Sequence, residues 1–474
     1  MIRTGPGSLD RGFGAAGTLT TSIGPSAFAN AVALDSLGRI VAAGPAASLG
    51  GSAFALARYR ADGTPDPGFG SAGAATTSFG AQAAYANAVA AQPDGKVIAA
   101  GFVAPAGATS GRFALVRYRT DGSLDSGFGR AGLLTAAVAP GTAVANAVAV
   151  QADGKILAGG VATGDRDRFA LARFERDGRL DTSFGHGGFV TSAIDAGSGV
   201  TAFALQPDGK IVAAGWSLTA TTVRFALARY LADGNLDASF GTDGVVTTRI
   251  DDGSAADDVL VQADGKVVVA GGSFRSGHDR FALARYDRQG RLDPSFGSGG
   301  RVATSVGSGN VASPVSIAVQ PSGKLIAAGS SEANWMVSFA VARYDSRGRL
   351  DSGFGDHGGV VTTAFELDRV FARGSVLQPD GKIVVAGYGD HGGYYRFALA
   401  RYVVVGCVVP DVRGSRLVAA RKALARADCG VGRVSSAYSR TVRRGHVAGV
   451  RPGAGARLLE SAKVNLVVSR GRRR

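Results

Sequence analysis

Arginine and aspartate are the residues of this chain whose type and spacing could do chemistry. Arginine closes the phrase Phe-Ala-Leu-Ala-Arg-Tyr, or a close variant, at Arg58, Arg117, Arg173, Arg229, Arg285, Arg343 and Arg401. Aspartate stands in a later Leu-Asp-x-x-Phe-Gly phrase or its variant at Asp10, Asp66, Asp125, Asp181, Asp237, Asp293 and Asp351. Seven guanidinium groups in register would form a ring of anion sites. Side chains alternate along a strand, however, so each arginine shares a face with the Phe and Leu of its own phrase. A guanidinium on a packed face needs a hydrogen-bonded carboxylate. The ordinary pairing of buried charges therefore favours a structural Arg–Asp pair in each copy over an anion site.

Catalytic constellations are missing. Gly12-Phe13-Gly14-Ala15-Ala16-Gly17 has dinucleotide-binding spacing, as do copies starting at Gly68, Gly127 and Gly353. That pattern is informative only between a strand and a helix. Here it precedes another strand, and Ser183, Ser239 or Ser295 replaces the first glycine in the remaining copies. These glycines read as turn residues. His186, His278, His357, His391 and His446 are scattered, with no second metal-type ligand at helical or hairpin spacing. No Ser or Cys stands out as an activated nucleophile, so an enzyme would need a pore-mouth site assembled across repeats. The expectation is a non-enzyme with no catalytic residues, no cofactor and no metal.

The elements that position the charged residues follow from the period. The glycine closing the later phrase falls at Gly14, Gly70, Gly129, Gly185, Gly241, Gly297 and Gly355, so one unit is copied at nearly constant length. In the fourth copy Val200–Gln206, Lys210–Gly215, Arg224–Tyr230 and Val245–Arg249 read as four strands, with turns at Pro207-Asp208-Gly209 and Asp233-Gly234. Runs such as Lys-Ile-Val-Ala-Ala-Gly do not alternate, which suits strands buried on both faces. The fold class is all-β: a seven-bladed β-propeller of four-stranded blades over residues 5–403, followed by a small α+β domain. The array opens inside a fourth-strand phrase and stops after a third-strand phrase. Residues near 17–22 are expected to supply the outer strand of a seventh blade built from 370–402, which removes an open edge.

These phrases resemble the delta-60 repeat family over roughly residues 5–402. Departures are small: Asp35-Ser36-Leu37-Gly38-Arg39 replaces the Gln-led turn in the first copy, and Thr64-Pro65-Asp66 replaces Leu-Asp in the second. The resemblance implies a fold and names no reaction.

In a four-stranded meander both tight turns lie on one face of the disc and the longer connections on the other. The longer connections are expected to carry Phe102, Trp216, Phe274, Trp335, Tyr388, Tyr394 and Tyr395, the ligand-binding candidates for a protein or glycan partner. The alternative is that these rings merely cover blade edges.

After Tyr402 the chain changes character. Residues 403–474 hold 16 Lys and Arg against 3 Asp and Glu, whereas residues 1–402 hold 36 against 34. Val408–Val412, Val431–Ser435 and Val464–Ser469 read as strands, and Ser415–Ala427 as an amphipathic helix with Ser415 available as its cap. The order Val409-Pro410-Asp411-Val412-x-Gly414, Ala420, Leu424, Gly432, Val434, Gly445-x-Val447, Pro452-x-x-Gly455 and Val464-x-Leu466-Val467-Val468-Ser469-x-Gly471 resembles the PASTA domain of bacterial envelope proteins, here over 407–471 with 472–474 as a basic end. The resemblance implies peptidoglycan or an anionic wall polymer as partner, although Val450 and Ser461 stand where the family has Gln and Gly. Arg440, Arg443, Arg444, Arg451 and Arg457 are the wall-binding candidates. With Arg470–Arg474 they would also suit nucleic-acid phosphates. Tyr438 is the lone stacking position in the tail, which argues against nucleic acid.

Cys407 and Cys429, the chain's two cysteines, bracket the first strand and helix of the tail. A disulfide supporting a small core is expected, with two free buried thiols as the alternative. Met1-Ile2-Arg3 leads almost directly into the first repeat, without an apolar stretch of signal length or of the roughly 18 residues a membrane span needs. The envelope-type tail and the cysteine pair nonetheless favour an extracellular or cell-wall location, reached from a start codon upstream. The expected function is a non-enzymatic binding or scaffold protein of the bacterial cell envelope.

Overall fold

The third-strand phrase decides how the repeats stack. In Phe225-Ala226-Leu227-Ala228 the large side chains lie on one face and the alanines on the other. Phe225 and Leu227 pack with Val267, Ala282 and Ala284 of the following repeat. Ala226 and Ala228 receive Phe169 and Leu171 of the preceding one. Large against small at these contacts lets consecutive sheets stack face to face. In the computed structural model, whose described residues are 6–48, 51–80, 82–105, 111–138, 141–307, 312–333, 335–355, 358–404, 407–427, 429–458 and 462–472, seven four-stranded sheets do so around a common axis. Residue 5, His357, Arg473 and Arg474 lie outside the described residues.

Blade four shows the plan, with strands Gly197–Leu205, Ile211–Leu218, Val223–Tyr230 and Val245–Thr248 paired antiparallel in order. Its second strand is buried throughout Ile211–Gly215, which is why that phrase carries no polar alternation. Gly241, closing the turn before the fourth strand, has φ +59°, and a Cβ there would lie 2.2 Å from the Val245 carbonyl oxygen. Glycine is required at that point, and the dinucleotide-like spacing reflects this turn.

The tail forms a separate α+β unit. The helix Leu417–Arg426 packs Ala420 and Leu424 into a core with Val447, Val450, Val464 and Leu466. Lys463–Ser469 is the central strand, parallel to Gly430–Ala437 and antiparallel to Val447–Arg451. Val447–Arg451 and the short Arg457–Leu458 were not expected, and Cys407–Val408 is shorter than the expected strand. The helix cap is also corrected: Arg416 occupies that position without a side-chain cap, and the Ser415 carbonyl instead accepts the Val447 N–H at 2.9 Å. Cys407 and Cys429 form a disulfide across 22 residues. Closing a loop of that length stabilises a small domain by about 3 kcal/mol on chain-entropy grounds.

The ring closes through the termini. Blade seven is built from Arg369–Leu377, Lys382–His391 and Tyr394–Val403, and its outer strand is Thr18–Thr21, in register Thr18 opposite Ala400 through Thr21 opposite Phe397. The first strands of successive blades touch all the way round, including Ala31–Leu34 against Arg369–Leu377, so they line the axis. Tyr59 of blade one donates to Thr21 Oγ1 at 2.8 Å, as Tyr230 donates to Ser192 Oγ of blade three at 2.9 Å.

Each blade interface also holds a buried charged group. Arg229 donates from Nε to Asp237 at 2.8 Å, from Nη2 to Ser239 at 3.0 Å, and from Nη1 to the Arg288 carbonyl of blade five at 2.6 Å, while lying 4.5 Å over the Phe240 ring. Lys210, from the Pro-Asp-Gly turn, completes the Asp237 shell at 3.0 Å. The arrangement repeats for Arg58–Asp66, Arg117–Asp125, Arg173–Asp181, Arg285–Asp293, Arg343–Asp351 and Arg401–Asp10, at 2.5–2.9 Å. Arg39 replaces the lysine in blade one. The partner carbonyl always belongs to the next blade: Thr120, Arg176, Ala232, Arg288, Ser346, Val404 and, for Arg401, Ala61. Burial alone would push the Asp237 carboxyl up, but Ser239, Lys210 and Arg229 outweigh it and hold the carboxyl well below the usual range. Arg229→Met leaves Asp237 with Lys210 and Ser239 but takes the donor from the Arg288 carbonyl of the next blade, and should lower folding stability by about 1–3 kcal/mol, the usual cost of a buried polar group left unpaired. Chemical denaturation of purified variant and parent reads this directly, and an unchanged midpoint would assign the pair no structural role.

Candidate functional site

The hairpin between second and third strands and the connection from a fourth strand to the next blade share one face of the disc. The strands of that hairpin run past the apolar phrases, which corrects the expected placement of the aromatic candidates. Phe102, Trp216, Phe274, Tyr388, Tyr394 and Tyr395 lie within strands, and Trp335 alone occupies a hairpin tip. Trp335 is 87% exposed, and Phe274 and Tyr394 are also exposed. The others are half-buried: Phe102 stacks on Tyr85 at 5.0 Å, and Trp216 covers Gly199. The structure does not bring the seven candidates into one site.

Tyr388 and Tyr395 do meet, in a cluster that the sequence reading missed. Tyr388 stacks on Phe371 at 5.3 Å and meets Tyr395 edge-on at 5.6 Å, and Phe28 of blade one lies 4.9 Å from Tyr388 and 4.4 Å from Tyr395. Arg373 donates from Nη2 to the Tyr388 hydroxyl at 3.0 Å.

Arg373 belongs to a ring around the axis. From blade two to blade seven the innermost strand carries a β-bulge near this face, at Asn87, Asn146, Thr201, Asp257, Val315 and Arg373, and Asn30 is the matching residue of blade one. A bulged residue has no partner opposite, so its side chain is free for another task. Asn30, Asn87, Asn146 and Thr201 each donate to a carbonyl of the next blade, those of Ala86, Ala145, Val200 and Ala256, at 2.8–3.1 Å. Blades five, six and seven break the series with a carboxylate, an alkyl group and a guanidinium.

Asp257 accepts the Gly272 N–H, and Asp258 beside it accepts the Val259 and Ile317 N–H groups at 2.8 Å each. Crowding by protein atoms, with the Asp258 charge adding to it, pushes the Asp257 carboxyl up to about 7, against the lowering pull of Arg373. Crowding likewise pushes Asp258 up to about 6. Among the described residues no His, Cys, Asp or Glu cluster is arranged to hold a metal ion.

The opposite face offers a groove of about 890 Å³ between the turns of blades five to seven, lined by Lys266, Arg285 and Arg347 among others. Lys266 and Arg285 are both engaged by Asp293. In the tail Arg440, Arg443, Arg444 and Arg451 are exposed, while the Arg457 side chain lies outside the described atoms. Arg470 donates to Ser436 at 2.8 Å and lies 6.0 Å over the Tyr438 ring. No helix among the described residues is long and apolar enough to cross a membrane.

A raised carboxyl binds its proton in the folded state and gives it up on unfolding, so Asp257 contributes stability that is full below about pH 4 and is lost as pH rises through 7. Asp257→Asn installs the residue that blades one to three carry at this place. The variant should be more stable than the parent at pH 8 and should lose part of the parent's decline between pH 5 and 8, as read by thermal melts across that range; parallel curves would contradict the assignment.

The domain of unknown function (DUF5122) beta-propeller model matches seven segments, residues 38–69, 92–128, 151–184, 206–240, 262–296, 320–354 and 378–402, and the PASTA domain model matches 408–470. No curated protein matches the chain significantly. Among solved structures, the extracellular region of the Ser/Thr kinase PrkC from Staphylococcus aureus aligns at 25% identity over 13% of this chain and 22% of its own, with TM-score 0.13. Virginiamycin B lyase from Staphylococcus aureus aligns at 11% identity over 81% of this chain and 98% of its own, with TM-score 0.45. The periplasmic gluconolactonase PpgL from Pseudomonas aeruginosa aligns at 14% identity over 80% and 96%, also with TM-score 0.45. Seven matched repeats, each ending in the Arg–Asp interface that joins it to the next, and one matched tail make the chain a member of the DUF5122 β-propeller family that carries a C-terminal PASTA domain.

Proposed function

We propose that this protein is a non-enzymatic binding protein of the bacterial cell envelope, in which the PASTA domain holds peptidoglycan or an anionic wall polymer and the propeller presents a second binding face. The PASTA match over residues 408–470 carries this reading. Two further observations support it. The Cys407–Cys429 disulfide suits an oxidising location outside the cytoplasm. The excess of Lys and Arg in residues 403–474 gives that domain a field that attracts polyanions and that salt screens. Arg440, Arg443 and Arg444 are exposed on one short stretch between the strands Gly430–Ala437 and Val447–Arg451 and are the residues assigned to the polymer.

The test is co-sedimentation of the full chain with insoluble peptidoglycan. The parent protein should pellet at low salt and be released by added salt, and Arg440→Gln combined with Arg443→Gln and Arg444→Gln should reduce the bound fraction at least several-fold. A pellet fraction equal to that of a control protein of similar charge would remove the reading.

A further inference from the structure

The end of the chain returns to the arginine-rich stretch that precedes Val447. Ser439 N–H donates to the Gly471 carbonyl at 3.0 Å, Arg470 N–H to the Ala437 carbonyl at 2.8 Å and Gly445 N–H to the Ser469 carbonyl at 2.9 Å, so two distant segments form one surface. Arg472 donates from Nε to the Arg440 carbonyl at 3.4 Å, and a Cβ at Gly471 would lie 3.7 Å from that of Arg444. These segments carry five exposed arginines, Arg440, Arg443, Arg444, Arg470 and Arg472. No Asp or Glu lies between Asp428 and Glu460 or after Glu460, so neither segment brings a counter-charge. Like charges gathered without a carboxylate repel one another and work against the folded domain, and their exposure rules out a role in its core. Tyr438 stands beside them with its side chain 57% exposed. Arg470, fixed by its 2.8 Å bond to Ser436, lies 6.0 Å over that ring.

We propose that this surface, Tyr438 with Arg440, Arg444, Arg470 and Arg472, binds a phosphodiester polymer, a chain of sugars or polyols joined by phosphate, in preference to the glycan or peptide of peptidoglycan. The inference rests on the wall-polymer reading above and narrows it to one ligand chemistry. Each phosphodiester carries a fixed negative charge and two free oxygens that match the guanidinium fork. Successive charges are separated by a neutral unit, which the amphipathic Tyr438 ring can cover. A neutral glycan offers no charge to the arginines. A peptide that combines carboxylates with ammonium groups offers them little net charge. Nucleic acid has the phosphates, but its single strands are held by successive bases stacked on several rings, and this surface presents one.

The experiment is co-sedimentation of the full chain with bacterial cell wall that retains its phosphodiester polymer, and with the same wall after hydrofluoric acid has removed the phosphate. Affinity should fall at least 5-fold on the stripped wall. In titration calorimetry, poly(glycerol phosphate) should bind at least 10-fold more tightly than polyglutamate or single-stranded DNA of equal charge. Arg470→Gln combined with Arg472→Gln should weaken that binding at least 10-fold and Tyr438→Leu at least 3-fold. All three side chains are exposed, so the variants should melt with the parent. Equal affinity for intact and stripped wall would overturn the phosphodiester assignment and leave the wall reading standing, whereas no binding to either would remove both. Polyglutamate or DNA binding as tightly as poly(glycerol phosphate), or unchanged affinity in the variants, would also overturn the assignment.

Discussion

One buried guanidinium per interface, shared between a carboxylate of its own blade and a carbonyl of the next, is the constraint on which the propeller depends. The carboxylate neutralises the charge and the Phe ring beneath covers it, yet a third set of donors still needs an acceptor in a dry interface. No blade supplies that acceptor to itself. Each sheet is therefore incomplete until its neighbour arrives, and the seventh is incomplete until it meets the first, where Arg401 takes the Ala61 carbonyl. Apolar stacking provides the bulk of the contact, and the arginine fixes which turn faces which blade.

The termini fit into this cycle without an exception to it. Asp10, from the first residues of the chain, is the carboxylate for Arg401, so strand and counter-charge arrive together at the closing blade. At the same blade the chain leaves for the tail, and the Val404 carbonyl takes the place that a turn residue fills elsewhere, accepting from Arg343 and Gln320. The exit towards the PASTA domain is thus pinned by the interface chemistry that joins the blades.

Much of this was readable because its signals are local. The arginine and aspartate of one interface lie eight residues apart in most blades, and a strand without polar alternation declares burial on both faces. The same local logic placed Thr18–Thr21 on the last blade. Other parts were invisible for the opposite reason. The accepting carbonyls lie 59 or more residues away in sequence and have no side-chain signature. Lysines 96, 155, 210, 266, 324 and 382 looked like turn residues, yet each reaches the aspartate. The bulge ring escaped notice because an inserted Asn in Ala-Asn-Ala-Val leaves the apolar pattern unbroken on either side. Extended hairpins moved the aromatic candidates from loops into strands for a similar reason: small and polar residues such as Gly-Tyr-Gly-Asp pair as readily as apolar ones when a partner strand runs alongside.

Circular closure can be tested by hydrogen exchange on the full chain and on a variant lacking residues 1–22. Loss of Thr18–Thr21 and Asp10 should open the third strand of blade seven and the facing strands of blade one, raising exchange at Phe397–Ala400 and Ile40–Ala43 while blades three to five stay protected. Equal protection of Phe397–Ala400 in both proteins would contradict a ring held shut by its own N-terminal strand.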